Sequence, residues 1–135
     1  MITGRATFHK SERLCSRKLI TSLFESGNTF YSPHFKIVWQ KTPLKTTDPA
    51  QIAFSVSKKG FRHAVTRNLL KRRMREAYRK NKQILYTYLI RENIQIAFIV
   101  ILRGNTINDY QIIEKSILEM LEKLTIRISE DKKHC

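Results

Sequence analysis

The chain has 135 residues and carries 26 Lys and Arg side chains against 11 Asp and Glu, so its formal charge is +15 at pH 7. A chain of this length buries roughly two-thirds of its unfolded surface, and a 41% hydrophobic content supplies a core that needs no disulfide or metal. Two cysteines, Cys15 and Cys135, provide neither a disulfide framework nor paired zinc ligands, which favours a cytoplasmic protein. The longest apolar run, residues 96–102, is too short to span a membrane.

The first half of the chain predicts one helix followed by two strands. The helix is expected to begin at Ser11 or Ser16 and to end at Gly27, because apolar residues recur between them at helical spacing. Residues 35–39 and 51–57 alternate apolar and polar side chains, as half-buried strands do. The loop 42–50, with two prolines and three threonines, is expected to connect the two strands in a hairpin-like way.

The second half predicts a basic helix, a buried strand and a final helix. The basic helix is expected from residue 64 to about 88, with a break near Asn81, and residues 94–102 form a central strand covered on both faces. Thr106 and Asp109 resemble a capping box for the last helix, and the tail from residue 129 is expected to fray. The apolar stripe of that helix consists of Ile113, Ile117, Met120, Leu121 and Leu124.

This order predicts an α+β fold, an α/β sandwich-like single domain over residues 1–135 that is ordered from about 10 to 125. The elements follow as helix, strand, strand, an optional third strand, helix, strand and helix.

The positive charge is concentrated between residues 58 and 82, where eleven Lys and Arg side chains face a single acidic residue, Glu76. Such a single-sign excess indicates a polyanion-binding surface, whereas a merely solvated helix face usually mixes signs. On a helix, six polar side chains share one arc of about 140°. They are Arg67, Asn68, Lys71, Arg72, Arg75 and Arg79. Asn68 is either a neutral filler or an amide whose oxygen holds a hydrated metal beside a phosphate.

Motifs for catalysis within the protein are missing. The four glycines are isolated, so no nucleotide-binding loop is present, and no nucleotide cofactor is expected. The three aspartates are scattered, which gives no clustered carboxylates for a metal-dependent nuclease, and the four histidines lack ligand-like spacing.

Residues 54–79, FSVSKKGFRHAVTRNLLKRRMREAYR, resemble the signature of the bacterial ribonuclease P protein family. In that family a strand ending in S-x-S-K-K leads through a loop to A-V-x-R-N-x-x-K-R-x-x-R-[EQ], and the residues that fill this pattern here run from Ser55 to Glu76. Leu23, Phe24 and Gly27 resemble the end of the family's first helix, and residues 99–103 resemble its late strand. The resemblance covers about residues 10–125.

The resemblance implies a fold similar to the second domain of ribosomal protein S5, with a left-handed βαβ crossover in place of the usual right-handed one. It also implies the protein subunit of an endoribonuclease that removes the 5′ leader of precursor tRNA, while the RNA subunit performs the Mg²⁺-dependent hydrolysis. The implied RNA-binding residues are Lys58, Lys59, Arg62, Arg67, Asn68, Lys71, Arg72, Arg73, Arg75 and Arg79. The implied leader cleft consists of Phe24, Lys36, Val38, Ser55 and Ser57.

The sequence departs from the family pattern at two places, and each departure leaves two alternatives. Leu69 stands where the family has its second motif arginine, and Arg73 is either a replacement reaching across from the next turn or a side chain extending out of a relaxed packing site. Phe61 either lies near RNA or anchors its loop in the core. The leading alternative function is a non-catalytic ribosomal or RNA-chaperone protein. A binder of membrane surfaces or acidic proteins rests on net charge alone.

Overall fold

The structure is a computed structural model that describes residues 8–133, with side chains described to residue 131. A short 3-10 helix, Lys10–Glu12, comes before four α-helices and four strands. The helices are α1 (Arg17–Ser26), α2 (Ala64–Asn81), α3 (Gln83–Glu92) and α4 (Tyr110–Lys133). The strands are β1 (Asn28–Ser32), β2 (Phe35–Lys41), β3 (Ala50–Val56) and β4 (Ile96–Leu102). The α+β class is confirmed, and the optional third strand is β1, which comes before the other two.

The four strands form one sheet in the order β1-β2-β4-β3. β1 and β2 are antiparallel neighbours, β2 and β4 are antiparallel, and β3 runs parallel to β4. The predicted hairpin-like connection of β2 and β3 is therefore wrong, because β4 lies between them. Alternating side chains predict where strands occur but carry no information on which strands pair. The left-handedness of the crossover through α2 and α3 stays a prediction.

Helices cover the sheet on both faces, as expected for the apolar strand β4. On one face α1 packs through Leu23 onto Val38 and Ile99. On the other face α2, α3 and α4 bury the larger cluster, which includes Phe35 and Phe98. All the predicted stripe residues of α4 are buried.

The predicted break near Asn81 is confirmed, and it is built around a buried ion pair. Lys82, which separates α2 from α3, is only 5% exposed and donates from Nζ to Glu12 Oε1 at 2.5 Å. The Tyr86 hydroxyl donates to the same oxygen. The His9 backbone N–H donates to Glu12 Oε2 at 2.7 Å. This network fastens the 3-10 helix to the corner between α2 and α3.

The predicted ends of α1 are confirmed, and the predicted cap of α4 needs correction. Ser16 caps α1 by accepting from the Leu19 N–H, and α1 stops at Gly27 as expected. The cap of α4 is Asp109, whose Oδ1 accepts from the Ile112 N–H at 3.0 Å, and not Thr106. α4 continues to Lys133, and Ile128 is fully buried. The expected fraying from residue 129 stays a prediction, and residues 134 and 135 lie outside the described residues.

Candidate nucleic-acid interface

The outer face of α2 carries most of the predicted RNA-binding side chains. α2 is held to the domain by Leu70, Met74, Ala77 and Tyr78, all of them buried. The opposite side therefore faces solvent, and Asn68, Arg72 and Arg75 are exposed there. Lys71, also on this side, is half-buried. Four of the six predicted side chains therefore lie together on the solvent-facing side of α2.

Arg67 points back toward the loop that comes before α2. Its Nη1 donates to the Phe61 carbonyl at 2.8 Å and to the Arg62 carbonyl at 2.9 Å. Phe61 is 4% exposed, so the core-anchor alternative for this residue is confirmed. Arg67 therefore fixes the shape of the basic loop, in addition to its charge on the α2 face.

Arg79 forms an ion pair on the same face. Its Nη2 lies 2.6 Å from Glu76 Oε2, and its Nε donates to Glu76 Oε1 at 2.9 Å. This hydrogen-bonded arginine lowers the pKa of the Glu76 carboxyl below its usual 4.5, against a smaller opposing effect of burial. Because the pair neutralises much of its charge, Arg79 offers less to a polyanion than Arg72 or Arg75 does.

Arg73 has a structural partner within the chain. Its Nη1 donates to the Asn108 carbonyl at 2.6 Å, and Asn108 lies in the loop before α4. Leu69, where the family pattern has an arginine, is 36% exposed. The structure therefore places Arg73 in a contact between α2 and that loop, and does not direct it across the helix toward Leu69.

The basic loop between β3 and α2 is packed closely against a second loop. Lys58, Lys59 and Arg62 are exposed on it. A Cβ added to Gly60 would lie 2.0 Å from the Gly104 carbonyl oxygen, so only glycine allows this approach. The loop that follows β4, from Arg103 onward, therefore packs against the basic loop at Gly60.

One row of the sheet remains uncovered beside α1. Across the strands the register places Tyr31 opposite Lys36, Lys36 opposite Ile101, and Ile101 opposite Ser55. Phe24, near the end of α1, is 60% exposed. This part of the surface thus offers exposed aromatic rings, a cation and a small polar side chain, which are groups that can contact single-stranded nucleic acid.

Val38, which the family resemblance implies for the leader cleft, does not lie on an open face of the sheet. Val38 is 3% exposed. A Cβ added to Gly27 would lie 2.9 Å from Val38 Cγ1, which shows that the end of α1 covers this residue. Val38 therefore supports the cleft from below and offers it no surface. Ser57, by contrast, follows β3 and is only half-buried.

Sequence reasoning missed two cleft residues, Tyr31 and Arg103. The Arg103 guanidinium carbon lies 4.6 Å from the Tyr31 ring centroid, a cation–π stack, and Tyr31 is 49% exposed. In β1, Phe30 and Ser32 are buried while Thr29 and Tyr31 are exposed, and a strand of only five residues is too short for its sequence to show this alternation clearly.

Fold and surface together define a class, a small basic α+β domain with a polyanion-binding face. Among residues 8–133 there is no group of three His, Cys, Asp or Glu side chains that would hold a metal ion. No helix within this part of the chain is long and apolar enough to cross a membrane.

Comparison with known proteins identifies the family. The ribonuclease P family profile matches residues 8–125. The chain is 37% identical to the ribonuclease P protein component of Chlorobium phaeobacteroides over 92% of this chain and 90% of that protein. It is 36% identical to the component of Porphyromonas gingivalis, over 95% and 92% of the two chains. The chain therefore belongs to the ribonuclease P protein family.

Solved structures agree with this assignment. The ribonuclease P protein of Staphylococcus aureus aligns with a TM-score of 0.65 at 25% identity, covering 85% of this chain and 95% of that one. The Thermotoga maritima protein shares the fold, with a TM-score of 0.66 at 24% identity over 83% and 96% of the two chains. Family membership implies an RNA-binding subunit of an endoribonuclease complex that acts in tRNA processing, with the ribonuclease P RNA as its partner.

Proposed function

We propose that this protein binds the 5′ leader of precursor tRNA in the cleft beside α1 while the α2 face holds the ribonuclease P RNA. The juxtaposition of two surfaces carries the proposal. The open row from Tyr31 to Ser55 ends at β3, and the basic loop continues from β3 into α2. A single-stranded RNA lying in the cleft would therefore reach the basic loop while staying in contact with the protein.

The two surfaces suit two forms of RNA. The cleft offers Phe24 and Tyr31 for stacking, which is how unpaired bases are held. The α2 face offers guanidinium groups, whose planar donors match phosphate oxygens of a folded RNA backbone. We infer that the RNA subunit carries out the hydrolysis and that the protein acts in the cytoplasm, where reduced cysteines are stable.

Asn68 is the residue through which the protein would contact a magnesium ion. Its amide is exposed on the α2 face, one helical turn from Arg72. A single amide oxygen fits a water-mediated contact to a hydrated Mg²⁺, a cation that keeps several waters when it binds phosphate. The ion itself would be held mainly by the RNA, and its chemistry is activation of the attacking water. Asn68→Ala should then raise the Mg²⁺ concentration needed for half-maximal cleavage, with no change in protein stability.

The test is cleavage of a precursor tRNA by the matching RNA subunit at low Mg²⁺, with and without this protein. Wild type should restore leader removal, and Arg72→Ala should restore it poorly while folding normally. Lys115→Gln, which removes an exposed lysine on α4, serves as the matched control and should behave as wild type. If wild type bound RNA but left cleavage unchanged, the protein would be a general RNA-binding or ribosomal protein.

A further inference from the structure

A positively charged cavity lies at the opposite end of β3 from the basic loop. It has a volume of about 350 Å³. It is formed by the start of α1 with the segment before it, the loop between β2 and β3, and the first residues of β3. Arg13, Lys18 and Lys45 line it, with Leu19 and Pro43 as apolar walls and Gln51 on β3. None of these residues belongs to the predicted RNA-binding set.

The three cations that line this cavity come from three separate segments, and the Arg13 guanidinium carbon also lies 5.9 Å from the centroid of the Phe8 ring. All three are exposed, and none of them forms an ion pair with another described residue. No carboxylate lines the cavity. The carboxylates nearest in sequence already have partners, since Glu12 binds Lys82 and Asp48 accepts from the Thr46 hydroxyl at 2.9 Å. Gathering like charges without a counter-ion is costly, and a bound anion would offset that cost.

The walls of the cavity are held in place by hydrogen bonds. Gln95 Oε1 accepts from the Leu44 N–H at 3.0 Å, and its Nε2 donates to the Thr46 and Asp48 carbonyls at 2.9 Å each. These bonds fix the loop that carries Lys45. On the other side, the Leu14 N–H donates to the Ile52 carbonyl at 2.9 Å and positions Arg13. The cavity is thus preorganised, which lowers the entropic cost of binding.

Its place on the sheet relates the cavity to the leader cleft. Gln51 and Ser55 point to the same face of β3, because side chains alternate along a strand. They are four positions apart, which is about 13 Å at the usual rise per residue of a strand. A single-stranded RNA that occupies the row at Ser55 and continues along β3 would arrive at Lys18 and Lys45.

We propose that this cavity is a second phosphate-binding site, which takes a phosphate of the leader upstream of the nucleotides in the cleft. The lysines would bind the phosphate oxygens, and Leu19 with Pro43 would contact a base or ribose. This inference rests on the proposed function, because it assumes that the leader occupies the cleft.

The experiment measures the affinity of the assembled holoenzyme for two precursor tRNAs, one with a leader of about ten nucleotides and one trimmed to about two. Lys45→Gln and the double variant Lys18→Gln/Lys45→Gln are compared with wild type. For the long leader we expect a loss of about three- to tenfold, and a salt slope shallower by about 0.7 per lysine removed. For the short leader no loss is expected, and Lys115→Gln should change neither.

Each other outcome overturns the proposal in a distinguishable way. An equal loss with both leaders would place the phosphate on the RNA subunit and refute the leader assignment. Unchanged affinity in the double variant would show that the cavity holds no phosphate. Both results are separate from failure of the proposed function, in which even the wild-type protein would not stimulate leader removal at low Mg²⁺.

Discussion

At the residue scale, Gly60 allows the basic loop to pack closely against the loop that follows β4. Any side chain there meets the Gly104 carbonyl, a backbone atom that cannot rotate away. We expect Gly60→Ala to destabilise the protein by about 1–3 kcal/mol, the usual cost of overpacking, and to weaken RNA binding because the loop must shift. Urea unfolding and RNA titration measure the two effects. Lys59→Ala, its exposed neighbour, should lose RNA affinity at unchanged stability, and a Gly60→Ala protein as stable as wild type would refute the argument.

Tyr86 makes stability depend on alkaline pH. Burial, the neighbouring Tyr78 and the hydrogen bond to Glu12 raise the pKa of Tyr86 well above its ordinary 10.0. The folded protein therefore keeps this phenol neutral, while the unfolded chain loses the proton above about pH 10. Stability should consequently fall as the pH rises past about 10.

Urea unfolding between pH 8 and 11 tests this dependence through variants. Tyr86→Phe should be less stable at neutral pH, because it loses the bond to Glu12, and its stability should fall less steeply above pH 10, by up to about 1.4 kcal/mol per pH unit. Tyr31→Phe changes an exposed phenol and should keep the wild-type slope. Identical slopes in wild type and Tyr86→Phe would contradict the assignment.

At the scale of the element, α2 balances its cations against one carboxylate. The Glu76 and Arg79 side chains are 42% and 32% exposed, so their ion pair contributes little to stability. The ion pair instead reduces the positive charge that Arg79 offers to RNA on this surface. Glu76→Gln should bind RNA more tightly and steepen the slope of log K against log salt by about 0.7 to 0.9, the value for one more phosphate contact. Glu119→Gln on α4 is the matched control, and an unchanged slope in Glu76→Gln would refute this interpretation.

At the scale of the whole molecule, a charge of +15 makes the folded protein repel itself. Six cations of the α2 face and basic loop form neither an ion pair nor a hydrogen bond through their side chains within residues 8–131: Lys58, Lys59, Arg62, Lys71, Arg72 and Arg75. Anions that bind the folded state at such sites stabilise it by mass action. Sulfate should therefore raise the melting temperature more than chloride at equal ionic strength, and Arg72→Ala/Arg75→Ala should reduce the difference. No sulfate-specific rise in wild type would count against this.

Much of the candidate site was predictable because its signals are local. The arrangement of cations along α2 follows from 3.6 residues per turn, and the cap at Ser16 and the stop at Gly27 follow from neighbouring residues. The burial of Val38 and the exposure of Tyr31 were not predictable in this way. The burial of Val38 depends on where the end of α1 contacts the sheet, which is a contact between segments.

The amino-acid sequence by itself determined the class of fold, the cationic face and the family, because periodicity, charge and motif spacing are properties of adjacent residues. Only the tertiary structure decided the strand order and the partner of Arg73. It also decided the gathering of Arg13, Lys18 and Lys45 around one cavity. The physical reason is that these features join residues far apart in the chain, and their geometry follows from how the helices and the sheet pack.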